Sequence, residues 1–262
     1  YQRRVRGQAM DYLKSHMTEI MIAWLLVAAI VFIVEFSITA PYGRHVGQVK
    51  GPKFPAGFAW FIMEALSPLI MLYQFYVGTN KNIIAWCFII MWETHYFHRA
   101  FIYPLRLKKG KPVPAFIALS GASFNFVNAG LNGLQLFVWG PEYPESYLHD
   151  KKFIIGVTTM LVGFIINIQS DTILLNLRKP GEQGYKIPYG GMFRFVSCPN
   201  YMSEMMEWIG FATATWTLAG WTFALWTIAN LLPRAISNHK WYLKQFETYS
   251  TLKRKALIPF IL

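Results

Sequence analysis

The stretch "MTEIMIAWLLVAAIVFIVEFS", residues 17–37, is an apolar run long enough for one helix to cross a bilayer, which takes roughly 20 residues. The last of the later runs, residues 203–232, would be about 45 Å long as one helix at about 1.5 Å per residue. We therefore expect it to break near Gly210 or Gly220. The fold class predicted is an all-α integral membrane protein with seven transmembrane helices. The other apolar runs are 55–77, 82–103, 113–139 and 152–173.

Composition and charge distribution agree with a membrane protein. Of the 262 residues 54% are hydrophobic and 15% charged, against about 25% charged in a typical soluble domain. The net charge of +12 would suit a nucleic-acid-binding protein, but the basic residues divide seventeen to seven between the two sides of the predicted membrane. Basic loops face the cytosol, so we predict no nucleic-acid partner and a cytosolic C-terminus. The seventeen lie in loops 38–54, 104–112 and 174–202 and in the tail from residue 233.

Polar side chains interrupt several of the apolar runs. Glu64 lies in the middle of the second run, and the third ends in "WETHYFHRAFIY", which contains His95, Tyr96, His98 and Arg99. Ionisable groups inside a membrane are costly unless they are paired or face a cavity. We expect a polar cavity that opens to the cytosol, with an apolar part deeper in the membrane. The alternatives are hydrogen bonds between helices and, for His95, His98 and Arg99, anchoring at the interface.

The fourth apolar run carries three asparagines, and other motifs are scarce. Asn125, Asn128 and Asn132 are spaced by three and four residues, which places them on one face of a helix. His-Glu-x-x-His is absent, and we expect no metal. G-x-G-x-x-G after a strand and the P-loop are also absent. A bound nucleotide would therefore need another architecture.

The loop "LRKPGEQGYKIPYGG", residues 177–191, is polar, basic and rich in glycine. From composition alone it is either a plain connector or a site for a negatively charged ligand. Arg178 and Lys179, with Arg234 nearer the C-terminus, could contact phosphate groups, which arginine can bind through two hydrogen bonds. For the tail residues Lys253, Arg254 and Lys255 we expect contact with anionic lipid.

Four segments of the chain closely resemble the steroid 5α-reductase family. They are "WFIMEALSP" (60–68), "HYFHRAFIY" (95–103), the long stretch from "INIQSD" to "ATATW" (166–216) and "WYLKQFETYSTLKRKALIPFIL" (241–262). The resemblance implies a seven-span membrane enzyme that uses NADPH to reduce the Δ4 double bond of 3-oxo steroids such as testosterone or progesterone. It also implies one domain over residues 1–262, with the substrate pocket mainly in the N-terminal half and NADPH bound mainly by about 160–262.

The resemblance also implies roles for individual residues. Glu64 and Tyr96 correspond to the catalytic pair that contacts the steroid 3-carbonyl, and Asn128 to a substrate-binding position. The chain departs from the common family pattern at Met63, Ser120, Lys186 and Asn238. Met63 and Ser120 lie near the expected steroid pocket and place the substrate range in question more than the chemistry. The implied NADPH-binding residues are Asn167, Asp171, Arg178, Tyr185, Asn200, Glu204, Arg234 and Tyr242.

The chemistry of the enone explains why a tyrosine and a glutamate would be needed. Hydrogen-bond donors on the carbonyl oxygen stabilise the enolate that forms as hydride reaches C5. Tyr96 and a protonated Glu64 can serve as these donors, and the donor of the proton to C4 cannot be named.

Other interpretations remain open at this point. One is a related membrane reductase acting on an enoyl-CoA, a polyprenal or a sterol ring, and another is a transporter or receptor with a site at the membrane midplane. The expected partners are a steroid and membrane lipid. We expect a monomer in either a bacterial inner membrane or the endoplasmic reticulum, with its cofactor site in the cytosol.

Overall fold

The computed structural model describes residues 2–38, 50–107, 110–178, 182 and 184–262, and in this part of the chain the protein is mainly helical. Two short antiparallel strands, β1 (Lys53–Phe54) and β2 (Val113–Pro114), pair Lys53 with Pro114. The helices are α1 (Gln2–Ser15), α2 (Met17–Ser37), α3 (Ala56–Val77), α4 (Ile83–Phe97), α5 (Tyr103–Arg106), α6 (Ala115–Gly133), α7 (Lys151–Leu175), α8 (Pro199–Thr215) and α9 (Leu218–Gln245).

Every predicted apolar run contains a helix, which confirms the helical class. In the described part of the chain, α2, α3 and α7 are long and apolar enough to cross a membrane. The third and fourth runs form shorter α-helices because wider π-helical turns follow them. These turns are His98–Ile102, which joins α4 to α5, and Leu134–Val138, which follows α6. Pro104 follows the first π segment, has no N–H and would crowd the carbonyl one turn earlier, so a wider turn fits there.

The last apolar run does break, but the predicted break at Gly210 or Gly220 is wrong. The chain turns at Trp216, whose φ of 49° is left-handed, and Thr217 then caps α9 by accepting a hydrogen bond from the Gly220 amide at 3.1 Å. Gly210 lies inside α8, where a Cβ would come within 2.5 Å of the Met160 backbone nitrogen. Its role is to let α7 and α8 approach closely.

An aromatic core holds α4, which forms from the third apolar run, against α8 and α9. The Trp92 ring lies 5.1–5.4 Å from those of Tyr96, Trp208, Phe211 and Phe223. Aromatic pairs at such distances are worth about 0.5–1.5 kcal/mol each beyond their buried area. The core therefore holds the end of α4, which carries Tyr96, in one position.

The C-terminal tail packs onto the segment that precedes α8. Lys255 pairs with Val196 in a parallel bridge, and the Lys255 amide donates to the Phe195 carbonyl at 2.9 Å. Arg254 is only 6% exposed and donates to the Pro188 carbonyl at 2.9 Å. The prediction that Arg254 contacts lipid is therefore wrong, because its guanidinium holds the loop before α8. Lys253 and Lys255 are exposed.

Candidate active site

A cavity of about 1570 Å³ lies among α2, α3, α4, α6, α7, α8 and α9. Pockets for one drug-sized ligand usually measure about 300–1,000 Å³, so this cavity has room for more than one such molecule. Nine of the predicted site residues line it. They are Glu64, Tyr96, Asp171, Arg178, Tyr185, Asn200, Glu204, Arg234 and Tyr242.

Glu64 and Tyr96 are joined through a third residue, Asn125 of α6. The Tyr96 hydroxyl donates to Asn125 Oδ1 at 2.9 Å, and Asn125 Nδ2 donates to Glu64 Oε2 at 3.1 Å. Tyr96 is 2% exposed, and its ring is held by the aromatic core. The three residues come from α3, α4 and α6, so the packing of those helices sets the spacing of the predicted catalytic pair.

Arg99 lies at the centre of a second polar cluster. Its guanidinium donates to Asp171 Oδ2 at 3.0 Å and lies 3.7 Å from Glu204 Oε2. It also sits over the rings of Trp60 and Tyr103, at 4.6 and 4.9 Å from their centroids. Arg99 is the second residue of the π segment after α4, a kind of distortion that is frequent at functional sites. It connects two predicted cofactor residues to the helix that carries Tyr96.

His95 forms a further buried pair across α4 and α8. Its Nδ1 lies 2.8 Å from Glu207 Oε2, and both side chains are almost fully buried. His95 also lines the cavity, and its ring packs edge-on against Trp208 at 4.6 Å. The neighbouring His98 is buried too. The alternative that these groups anchor the interface does not hold for the two histidines or for Arg99, because all three side chains are buried in the protein.

Asn128 and Asn167 are described by the structure, and neither lines the cavity. The Asn167 amide donates to the Asn200 carbonyl at 2.9 Å and to Ser203 Oγ at 3.2 Å, which fastens α7 to the first turn of α8. The Asn128 carbonyl accepts from Asn132 within α6. Their geometry suits support of the wall better than direct contact with a ligand.

The basic and aromatic residues predicted for the cofactor surround the outer part of the cavity. Arg178 is exposed, and Tyr185 packs edge-on against Trp241 at 4.9 Å. Arg234 is buried and donates to Asn230 Oδ1 at 3.2 Å, and Tyr242 stacks on Tyr249 at 4.9 Å. Lys179 falls outside the described residues.

A group of three hydrogen-bonded residues lies outside the predicted apolar runs and links the outer part of the cavity to the C-terminal tail. Ser197 Oγ lies 2.6 Å from His239 Nδ1 and 2.7 Å from the Tyr249 hydroxyl. Burial raises the pKa of Tyr249, which favours the protonated phenol over the phenolate. Because Ser197 lines the cavity, the tail helps to fix one part of the cavity wall.

The departures from the family pattern all line the same cavity. Met63 faces Gly121, where an added Cβ would lie 3.1 Å from the Met63 sulfur. The Ser120 hydroxyl donates to its own helix, to the Phe116 carbonyl at 2.7 Å. Lys186 and Asn238 lie among the lining residues of the outer part. These side chains are therefore placed to affect which ligands fit.

Asn125 and Arg99 make central contacts in the site, although the sequence assigns neither of them a catalytic or ligand-binding role. Asn125 shares the predicted polar face of α6 with Asn128, and periodicity alone cannot say which of the two points inward. Arg99 stands out only as a charge within an apolar run. The signal that would find it is the presence of two carboxylates, Asp171 and Glu204, on other runs at the same membrane depth.

Comparisons with known proteins agree with the sequence resemblance. A sequence model described as 3-oxo-5-alpha-steroid 4-dehydrogenase matches residues 111–262. The chain is 41% identical over 233 residues to 3-oxo-5-alpha-steroid 4-dehydrogenase 2 of Homo sapiens, covering 84% of this chain and 87% of the relative. It is 40% identical over 223 residues to 3-oxo-5-alpha-steroid 4-dehydrogenase 1 of Macaca fascicularis, covering 84% of each.

A plant relative extends the same pattern. Steroid 5-alpha-reductase DET2 of Arabidopsis thaliana is 38% identical over 233 residues, which covers 86% of this chain and 88% of the relative. These alignments are longer than the stretch matched by the family model, so they reach into the half that holds Glu64 and Tyr96. The protein therefore belongs to the 3-oxo-5-alpha-steroid 4-dehydrogenase family of oxidoreductases.

Proposed function

We propose that the protein reduces the Δ4 double bond of 3-oxo-Δ4 steroids, such as testosterone or progesterone, to 5α-3-oxo steroids with NADPH. The observation that carries the proposal is that Glu64 and Tyr96 meet at one hydrogen-bonded unit on the wall of a cavity that also holds the basic residues suited to a phosphorylated cofactor. The named activities of the relatives support the same reaction.

The side chains around the outer cavity fit NADPH by their chemistry. Arg178 and Arg234 are suited to its phosphates, since arginine makes charge-assisted hydrogen bonds with phosphate oxygens. Asp171, Glu204 and Asn200 are suited to ribose hydroxyls or the nicotinamide amide. Arg99 Nε is buried without a hydrogen-bond partner among the described residues, which leaves one donor there for a ligand. When bound, NADPH supplies the hydride that is added at C5 of the steroid.

The protein's own side chains act at the steroid carbonyl. Tyr96 and a protonated Glu64 donate hydrogen bonds to the C3 oxygen, which stabilises the negative charge that develops there during reduction. The aromatic walls of the cavity, among them Trp208, Phe223 and Trp226, bind the apolar rings and exclude water. Low water content strengthens each of these hydrogen bonds.

We also propose seven membrane spans with the cofactor site and the C-terminus in the cytosol. The helices that form in the six predicted apolar runs, the last of them divided in two, support this arrangement, as does the excess of basic residues in the cytosolic loops. Residues from about 160 to 262 then supply most of the cofactor contacts, and the earlier helices supply most of the steroid pocket.

A product assay tests the proposed function directly. Purified protein in detergent with NADPH and testosterone should yield the 5α-reduced ketone, and Tyr96→Phe should lose most turnover while keeping its affinity for NADPH. Parallel reactions with an enoyl-CoA and a polyprenal test the related reductases. The proposal is wrong if NADPH is oxidised only with one of these, or with no enone at all, the last result favouring a transporter or receptor.

A further inference from the structure

The side-chain amide of Asn125 makes three hydrogen bonds, and all of them involve the predicted catalytic helices. Nδ2 donates to the Met63 carbonyl at 2.7 Å and to Glu64 Oε2 at 3.1 Å, and Oδ1 accepts from the Tyr96 hydroxyl at 2.9 Å. Asn125 is 5% exposed and lines the cavity. One amide therefore satisfies a backbone carbonyl and contacts both members of the pair.

The direction of each of these bonds follows from the Met63 carbonyl. A backbone carbonyl oxygen can only accept, so the NH₂ end of Asn125 must point towards it. The oxygen end then faces Tyr96, and an amide oxygen can only accept as well. The Tyr96 hydroxyl must therefore donate its one proton to Asn125, while Glu64 Oε2 must accept.

We propose that Asn125 is a positioning residue that aligns Glu64 and Tyr96 for the steroid carbonyl, an inference that rests on the proposed function of this pair. The amide engages one oxygen of Glu64 as an acceptor, which leaves the other oxygen to carry the proton of the neutral acid. It also provides an acceptor that keeps the Tyr96 proton directed into the cavity wall. An incoming carbonyl oxygen replaces Asn125 as the acceptor for Tyr96.

An amide suits this task better than the other side chains of similar size. Leucine has nearly the same shape but removes the donor to Glu64 and the acceptor for Tyr96, and lost hydrogen bonds of buried polar groups are costly. Aspartate keeps the acceptor for Tyr96 but loses the NH₂ donor. When ionised, the aspartate also places a negatively charged acceptor beside Glu64.

The charged and titratable groups around the unit come from α4, from the π segment that follows it and from α8. His95 and Arg99 face Glu64 from α4 and the π segment, and Glu204 faces it from α8. None of the three has a hydrogen bond to Asn125 in the described structure. Substitution of Asn125 therefore changes the contacts of Glu64 and Tyr96 while the Arg99 cluster keeps its own.

The test compares Asn125→Leu and Asn125→Asp with a matched control, Asn132→Leu. Asn132 lies on the same helix and is fully buried, but it does not line the cavity, and its amide donates within α6. Leaving a buried donor or acceptor of the catalytic pair unsatisfied corresponds to about fivefold to hundredfold in rate. We expect Asn125→Leu to lower kcat with testosterone by that factor, with Kd for NADPH within about twofold of the wild type by this reasoning.

The pH dependence separates positioning from a merely structural role. The introduced carboxyl in Asn125→Asp can donate to Glu64 only when it is protonated. Its turnover relative to wild type should therefore rise as the pH is lowered, whereas a structural defect gives the same ratio at every pH. Asn132→Leu should keep wild-type kcat and KM.

Three results would overturn the proposal. They are unchanged kcat in Asn125→Leu, a pH-independent defect in Asn125→Asp, and loss of NADPH binding together with turnover in both Asn125 variants. If the wild-type protein itself reduces no Δ4-3-oxo steroid, the proposed function fails first, and the variants are then compared by their Kd for NADPH alone. A rise in that Kd in the leucine variant would make Asn125 structural.

Discussion

Replacing Arg99 by methionine should destabilise the protein severely, because it leaves two carboxylates without their cation. The side chains of Arg99 and Asp171 are 8% and 4% exposed, and their charged atoms are 3.0 Å apart. Removing one partner of a buried ion pair costs about 3–5 kcal/mol, since the other charge is left uncompensated. Glu204, at 3.7 Å from the guanidinium, adds to the imbalance.

Thermal unfolding in detergent, followed by intrinsic tryptophan fluorescence, measures this effect. For a chain of this size 1 kcal/mol corresponds to about 2–4 °C in Tm, so the expected drop is about 6–20 °C. Arg106→Met is the matched control. Arg106 donates to a neutral hydroxyl, Thr172 Oγ1, at 2.8 Å, a bond worth about 0.5–1.5 kcal/mol. Adding Asp171→Asn to Arg99→Met should recover part of the loss.

The reasoning on Arg99 fails if its methionine variant unfolds no earlier than Arg106→Met. It also fails if Asp171→Asn lowers the Tm of Arg99→Met further, because the uncompensated carboxylate would then not be the cause of the loss.

Three further predictions concern the cofactor side and the helix packing. Arg178→Ala should raise Kd for NADPH about tenfold to hundredfold, which corresponds to the loss of one charge-assisted hydrogen bond. KM for the steroid should stay unchanged. Equal Kd values for the variant and the wild type by fluorescence titration would show that Arg178 does not contact NADPH. Arg254→Gln should speed tryptic cleavage of the loop it holds and weaken NADPH binding, whereas Lys253→Gln, at an exposed position, should do neither. Gly210→Ala should lower Tm, because an added Cβ would lie 2.5 Å from the backbone of α7. Gly130→Ala has open space around it and should raise Tm by removing a helical glycine. Equal shifts in Tm would contradict the close approach of α7 and α8.

The fold follows from the sequence where a property is local. The length and apolarity of the run 17–37 predict the bounds of α2, because a membrane-spanning helix requires only a sufficient number of consecutive apolar residues. The break before α9 depends on the left-handed turn at Trp216 and the cap at Thr217, which are features of two residues that carry no strong turn signal. Glycines draw attention as breaks, yet Gly210 is small so that a neighbouring helix can come close.

The site could be predicted only in part, for a similar reason. The family resemblance finds nine residues that do line one cavity, because motifs preserve the order of functional groups along the chain. The resemblance does not say how deeply a side chain lies or which way it points, so it does not reveal that the Asn167 amide joins α7 to α8. Arg254 looks like a surface charge beside two exposed lysines, and only the long-range contact with Pro188 identifies it as buried.

Transfer of a label from the cofactor to the steroid shows whether the protein moves hydride from NADPH to C5. NADPH carrying deuterium at C4 of the nicotinamide, on the face from which hydride leaves, is incubated with the protein and testosterone, and the product is analysed by mass spectrometry and NMR. If the protein transfers hydride as proposed, the product is a 5α-reduced ketone with one deuterium at C5. Deuterium at C3 of an alcohol, or a product with no label from either face of the nicotinamide, would contradict it.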